Sequence, residues 1–210
     1  MLKRRIWMSS LGVVICGVSV GMFRAASLGV DPFQSLMSGL NSLVPISFGT
    51  LYVIANAVLL LFALIFDRRK IGLATLINLT LLGYVAEYSQ KALTLLLPAP
   101  GLVPRLLLLG AAVVVMCFAS ALYFNADLGV STYDAVSLVI SERQKKVSFK
   151  VCRILSDLVC VSLGVLLCRL AHMSWDEIGA VVGVGTLITA FFMGPLISFF
   201  SGLLPLKPQR

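Results

Sequence analysis

The chain has 210 residues, 59% of them hydrophobic and only 12% charged, with a mean hydropathy of +1.01. Soluble domains carry about 25% charged residues, so this composition excludes a soluble globular protein and points to an integral membrane protein. The formal net charge of +8 would suggest nucleic acid in a soluble chain, but here Lys and Arg cluster at the ends of apolar runs, as membrane anchors do, and no basic face is left for nucleic acid.

The first element is an apolar run over 6–23, preceded by Lys3, Arg4 and Arg5. Its 18 residues exceed the roughly 7–15 of a signal-peptide core, and a counterpart recurs over 106–124. A retained transmembrane helix is therefore expected, with Gly17 and Gly21 as a close-packing face.

The next stretch, LGVDPFQSLMSGL from Leu28 to Leu40, is too short and too polar to cross. It returns as LGVSTYDAVSL from Leu128 to Leu138. Asp31 before Pro32 places an N-cap ahead of a proline at the first helical position. Ser131 followed by Asp134 is a capping-box pattern. Both stretches predict short helices of roughly a dozen residues. A helix over 31–44 would be only about 21 Å long, well short of a ~30 Å hydrocarbon core.

Longer apolar segments follow at 48–66 and 71–90. A proline-rich connection over 98–104 separates them from segments at 105–124, 149–170 and 178–203. The last is long enough to tilt, or to break at Gly194–Pro195. The two halves align. Leu28-Gly29-Val30 matches Leu128-Gly129-Val130, Ser47-Phe48 matches Ser148-Phe149, and Gly72, Thr75-Leu76-Ile77 and Gly83 match Gly183, Thr186-Leu187-Ile188 and Gly194. The expected fold is an all-α integral membrane protein of six transmembrane helices and two short re-entrant or interfacial helices, built as a 3+3 repeat. The expected organisation is a first membrane repeat over 1–97, a linker over 98–104, a second repeat over 105–203 and a tail over 204–210, together forming one structural domain.

Charge sets the orientation. With the short helices not crossing and the N-terminus cytoplasmic, Lys3, Arg4, Arg5, Arg68, Arg69, Lys70, Arg143, Lys145, Lys146, Lys207 and Arg210 fall inside. Only Arg24, Lys91, Arg105 and Arg169 fall outside. Letting both short helices cross would move Arg68–Lys70 outside, against the positive-inside rule. Three crossings per half invert the second half, so the first short helix enters from outside and the second from the cytoplasm. Inverted repeats with discontinuous helices are a transporter architecture.

LGVDPFQSLMSGL, SFGT and GLATLIN in the first half resemble the YczE/YyaS/YitT family of bacterial multi-pass membrane proteins, closest to its YczE branch. So do Lys150-Val151-Cys152-Arg153 with Asp157, and GVGTLITAFFMGPLI, in the second half. Two departures stand out. The usual Pro-Trp-Asp is Asp31-Pro32-Phe33-Gln34 here, and Asp157 stands where glutamate is common. The resemblance implies a bacterial cytoplasmic-membrane location and a transport role, with no substrate.

Arg153 and Asp157 share a face at i, i+4, and Asp157 lies about 14 Å along its helix, deep in the apolar layer. Charge at that depth faces a partner or a cavity; a structural ion pair and a functional site both fit. Their first-half counterparts are Tyr52 and Asn56, so inverted symmetry would bring Asn56 and Asp157 towards one central region. Asp31 and Asp134 serve as helix caps. The same helix N-termini, at depth, can hold an anionic group, with Gln34 and Ser35 one turn on. Asn78 stands beside Thr75 and Thr80. The threonines, with Thr186 and Thr189, read as interhelical hydrogen bonds. Glu87 and His172 read as interfacial residues. The five cysteines read as buried free thiols. No metal, hydrolase or P-loop signature is present, so neither enzyme nor cofactor is expected.

The expected function is a small secondary transporter or permease moving a small polar solute, anionic solutes included, by alternating access. Asp31, Gln34, Ser35, Asn56, Asn78, Asp134, Arg153 and Asp157 form its candidate site, and a proton or cation is the coupling species. The alternative is a non-transporting subunit of a larger importer, or a regulator. The bilayer is the constant partner, and homo-oligomers are compatible with the sequence.

Overall fold

The computed structural model describes residues 2–68, 71–98, 100–144 and 149–204. From the charge pattern above, Arg69, Lys70, Lys145, Lys146, Lys207 and Arg210 lie outside the described residues, as do Ser148, the tail from 205 and the side chains of Phe149 and Lys150. Among the described residues the structure is all helical: α1 (Leu2–Ala26), α2 (Pro32–Leu43), α3 (Phe48–Phe66), α4 (Leu73–Leu96), α5 (Leu102–Ala126), α6 (Thr132–Gln144), α7 (Phe149–Leu170), α8 (Trp175–Val181) and α9 (Val184–Leu203). Five segments are long and apolar enough to cross a membrane: α1, α3, α5, α7 from Val151 onward, and α8–α9 taken together. The expectation of six is met by five on these grounds. Helix α4 is 24 residues long, but Asn78, Glu87, Ser89, Gln90 and Lys91 make it too polar to qualify.

At the centre, α1 and α5 pack against each other in opposite directions. Arg5, in the first turns of α1, reaches Asp127 beyond the end of α5, at 3.7 Å. Arg105, in the first turn of α5, donates through Nε to the Ala26 carbonyl at the end of α1 (2.7 Å) and through an Nη to that of Ser27. Between these latches the backbones close tightly, and a Cβ on Gly12 would sit 3.0 Å from the Ala119 carbonyl. Helix α4 lies on α1, where Gly17 and Gly21 meet Val85 and Ser89. Helix α9 lies on α5, and Asn125 donates to the Ser201 carbonyl at 3.2 Å.

The short helices begin as their caps dictate. The Asp31 carboxylate accepts from the Gln34 N–H at 3.2 Å, with Pro32 at the first helical position. Ser131 Oγ accepts from the Asp134 N–H at 3.1 Å. Each is preceded by a Leu-Gly whose glycine takes a left-handed φ, +102° at Gly29 and +110° at Gly129, a conformation glycine adopts without a Cβ penalty. These two turns dock in corresponding ways. The Leu128 carbonyl accepts from Ala74 N at the start of α4 (3.0 Å), and the Leu28 carbonyl accepts from Gly185 N at the start of α9 (2.7 Å). Both fill the orphan donors of a first helical turn. Gly129 abuts Gly72, and Gly29 abuts Gly183.

That docking explains a departure from expectation. The segment 178–203 does not break at Gly194–Pro195. Helix α9 continues through Pro195, losing one backbone hydrogen bond there. The break falls at Val182–Gly183, because Gly29 N and Val30 N donate to the carbonyls of Ala180 and Val181, each at 3.0 Å. The linker also shortens. Helix α5 starts at Leu102 and takes Pro104 into its first turn, where a proline costs no hydrogen bond.

Helix α2 packs chiefly on α7, and α6 packs between α3 and α7. Backbones approach closely where Gly164 of α7 faces Ser35 and Gly39 of α2. All five cysteines are buried and free.

Candidate functional site

The two short helices enter from opposite ends of the bundle. The far end of α2 carries Asn41, which lines a cavity with Phe48 at the start of α3. The far end of α6 carries Arg143, stacked on Phe66 at the end of α3 with its guanidinium 4.4 Å from the ring centroid. Their N-termini meet in between. Phe33 of α2 stacks on Tyr133 of α6, with centroids 4.9 Å apart and planes at 28°. Tyr52 of α3 meets Phe33 edge-on at 5.8 Å.

Around this stack lies the charged cluster. Arg153 pairs with Asp134 through Nη1 and with Asp157 through Nε at 3.2 Å. Its guanidinium lies 4.3 Å from the centroid of the Tyr133 ring. The Tyr133 hydroxyl donates to Asp157 Oδ1 at 2.8 Å, and Cys160 Sγ lies 3.5 Å from that hydroxyl. The Ser131 hydroxyl donates to Asp134 Oδ2 at 2.7 Å. The capping-box acid therefore serves Arg153 as well as its own helix start. All three side chains of the triad are mostly buried. Asp31 stands within electrostatic reach of Arg153 and Asp157.

On the other side of α6, Thr132 donates to Asn56 Oδ1, and Asn56 Nδ2 donates to its own Tyr52 carbonyl at 2.8 Å. Asn56 and Asp157 thus hold neighbouring residues of one helix turn, Thr132 and Tyr133. Ser35 Oγ donates to the carbonyls of Asp31 (3.2 Å) and Val181 (3.4 Å), which ties α2 to α8. Gln34 is buried, and its Oε1 has no hydrogen-bond partner. Buried amide oxygens are nearly always paired, so this acceptor is available to a donor that enters. Asn78 is buried on α4, and none of the cluster's hydrogen bonds reaches it. The predicted residues Asp134, Arg153 and Asp157 are in direct contact, Asn56 joins through α6, and Asp31, Gln34 and Ser35 form the first turn of α2.

Other residues take bland roles. Thr75 Oγ1 donates to the Val130 carbonyl at 2.6 Å and accepts from Gly72 N, so it pins a turn. Thr80 bonds within its own helix. Glu87 accepts from Lys91 and from Gly49 N. His172 sits in the turn after α7. Among the described residues no cluster of His, Cys, Asp or Glu is placed to hold a metal.

Sequence reasoning missed Phe33, Thr132 and Tyr133 as site residues. A signal was present: Phe33 and Tyr133 occupy the same place in the repeated stretch, each two residues past the cap. Arg24 was read only as a loop-end charge, yet it is part-buried against Phe48.

A family described as a family of unknown function, DUF6198, matches residues 3–202. An uncharacterized protein of Haemophilus influenzae is 25% identical over 196 residues, covering 93% of this chain and 82% of that one. The uncharacterized protein YyaS of Bacillus subtilis is 22% identical over 190 residues, covering 90% and 89%. The uncharacterized membrane protein YczE of Bacillus subtilis is 22% identical over 198 residues, covering 94% and 85%. No solved structure matches the chain.

Proposed function

This chain belongs to DUF6198, a family of unknown function, and we propose that it is a small secondary transporter or permease of the bacterial cytoplasmic membrane. It moves a small polar solute by alternating access. In this reading α4 is the sixth crossing, both termini are cytoplasmic, and the second three-crossing unit is inverted relative to the first. The antiparallel α1 and α5 support it, as do the matched dockings of Leu28 on Gly185 and Leu128 on Ala74.

One observation carries the reading. Two short helices, entering from opposite ends, bring their N-termini together at Phe33 and Tyr133 beside a mostly buried Asp134–Arg153–Asp157 triad. Broken helices whose N-termini converge on buried polar groups are how transporters build midplane sites. Charge inside a bilayer is costly and marks solute or ion pathways.

The charge balance refines the chemistry. Arg153 is already paired with two carboxylates, so an anionic solute engages it only by displacing Asp134 or Asp157. Asp31 adds a third carboxylate. This excess suits a proton or small cation as the coupling species. Asn56, the free Gln34 oxygen and the α2 N-terminus offer neutral contacts to the solute.

The test is direct. Purified protein is screened by thermal shift against metabolites, since a ligand stabilises the state it binds, and the hit is then measured for uptake into proteoliposomes under a proton gradient. Gradient-dependent uptake by this chain alone is the expected result. Binding without flux in the absence of a second protein would instead assign a capturing subunit.

A further inference from the structure

We infer that a second site, distinct from the central triad, holds the oxyanion head of an anionic amphiphile on Arg24. Arg24 is a part-buried cation, and its side-chain partners are an amide oxygen, a hydroxyl and a ring. Its Nε donates to Gln90 Oε1 (2.5 Å), its Nη1 donates to Ser38 Oγ (3.2 Å), and its guanidinium lies 3.8 Å from the centroid of the Phe48 ring. Among the described residues no acid pairs with it. Glu87, the acid in electrostatic reach, is held by Lys91 Nζ at 2.7 Å and by Gly49 N at 2.9 Å. Three protein contacts thus fix the guanidinium plane while no carboxylate among the described residues bonds to it. An arginine held in this way is set up for bidentate capture of a carboxylate or phosphate.

The space beside it fits such a group. A cavity of about 610 Å³ opens between α1, α2, α3 and α4, with Arg24, Phe48 and Glu87 in its wall. A second cavity of about 280 Å³ shares Arg24, Gln90 and Thr94 with the first. The larger one reaches Ile46 and Leu95 at the helix ends, and Leu95 is 82% exposed. A wall that sets Arg24 and Lys91 beside Ile46, Phe48 and Leu95, at the level where helices end, matches a charged head with its apolar part directed into the membrane. A small hydrophilic anion would leave Ile46, Phe48 and Leu95 uncovered. The site does not depend on transport, since it stands at one end of the bundle and shares no residue with the triad.

Thermal unfolding of the full-length protein in neutral detergent tests this, with dioctanoyl phosphatidylglycerol as probe and dioctanoyl phosphatidylcholine and inorganic phosphate as comparisons. Phosphatidylglycerol at about a hundredfold excess over Kd is expected to raise Tm by about 5 °C, with no comparable rise from the other two. Arg24→Gln should lose the rise. Thr94→Trp keeps Arg24 and changes an exposed residue that lines both cavities, and it should lose the rise as well, so the site stays testable if Arg24→Gln fails to fold. An equal rise with phosphatidylcholine would overturn the charge requirement, and an equal rise with inorganic phosphate would overturn the amphiphile. A rise retained in both variants would overturn the location.

Discussion

Phe33 and Tyr133 hold the same position in two stretches a hundred residues apart, and in the folded chain their rings lie on one another at 4.9 Å. The contact is the point at which two helix starts, approaching from opposite ends, are joined. Tyr133 also lies under Arg153 and donates its hydroxyl to Asp157, so the stack and the charged triad act as one unit. Replacing Phe33 by alanine removes a buried ring and is expected to cost about 3–5 kcal/mol. Tyr133→Phe keeps the stack and deletes the hydroxyl's bonds to Asp157 and Cys160, at a cost of about 2 kcal/mol. Denaturant or thermal unfolding should separate the two by that margin; similar losses would mean the rings are not packed as described.

Arg153 pairs with Asp134 and Asp157 at once. Arg153→Gln strands two carboxylates and should destabilise by about 3–5 kcal/mol. The triple change Asp134→Asn, Arg153→Gln, Asp157→Asn removes every charge of the triad and should recover most of that loss. Recovery is read from Tm. A triple variant no more stable than Arg153→Gln would show that the triad is not a closed electrostatic group.

Asp157→Asn leaves Arg153 paired with Asp134 and keeps an acceptor for Tyr133. The protein should stay folded. Uptake driven by a proton gradient should fall to background in proteoliposomes, while solute binding by thermal shift persists. Undiminished gradient-driven uptake would remove Asp157 from the coupling step.

The glycine contacts give a matched pair of predictions. A Cβ at Gly183 would sit 2.5 Å from the Gly179 carbonyl and 2.7 Å from that of Leu28, and at Gly72 it would overlap the Leu128 carbonyl. Both Gly→Ala changes should lower stability by about 1–3 kcal/mol through forced backbone shifts. Gly110, with nothing within 4 Å, should accept alanine without loss. Unequal damage at Gly72 and Gly183 would argue that the two dockings are not equivalent.

Orientation can be read chemically. In a version with its cysteines replaced, Leu43→Cys at the end of α2 and Gln144→Cys at the end of α6 should label from opposite faces of the membrane with an impermeant thiol reagent. Phe33 and Tyr133 are unsuited to this test, since they meet inside the bundle. Labelling of both ends from one face would refute the inverted arrangement.

Local signals in the sequence anticipated much of this. Asp31-Pro32 and Ser131-x-x-Asp134 mark helix starts through chemistry confined to four residues, and both helices begin there. Arg153 and Asp157 pair because i, i+4 spacing leaves them little choice. The third member of that group, Asp134, is legible as a cap and a candidate binding residue, but not as a partner of Arg153. That Asp134 reaches Arg153 depends on how α6 leans on α7, which no local pattern encodes. The break at Val182–Gly183 was missed for the same reason. It follows from the Leu28–Val30 segment, some 150 positions earlier, taking up its backbone groups, whereas Gly194–Pro195 carried the stronger local signal and yet stays helical. Arg24 was legible as a charge, but its partners Ser38, Phe48 and Gln90 come from three other helices.

Helix α2 rests chiefly on α7, against Gly164, and α7 is made about a hundred residues after α2. At about 5–20 residues per second, the newborn amino-terminal half therefore waits many seconds with a polar helix start and a buried-type aromatic ring lacking their final seat. A gene cut between α4 and α5 should yield two pieces that degrade when made separately and survive when made together, because each half supplies the other's seat.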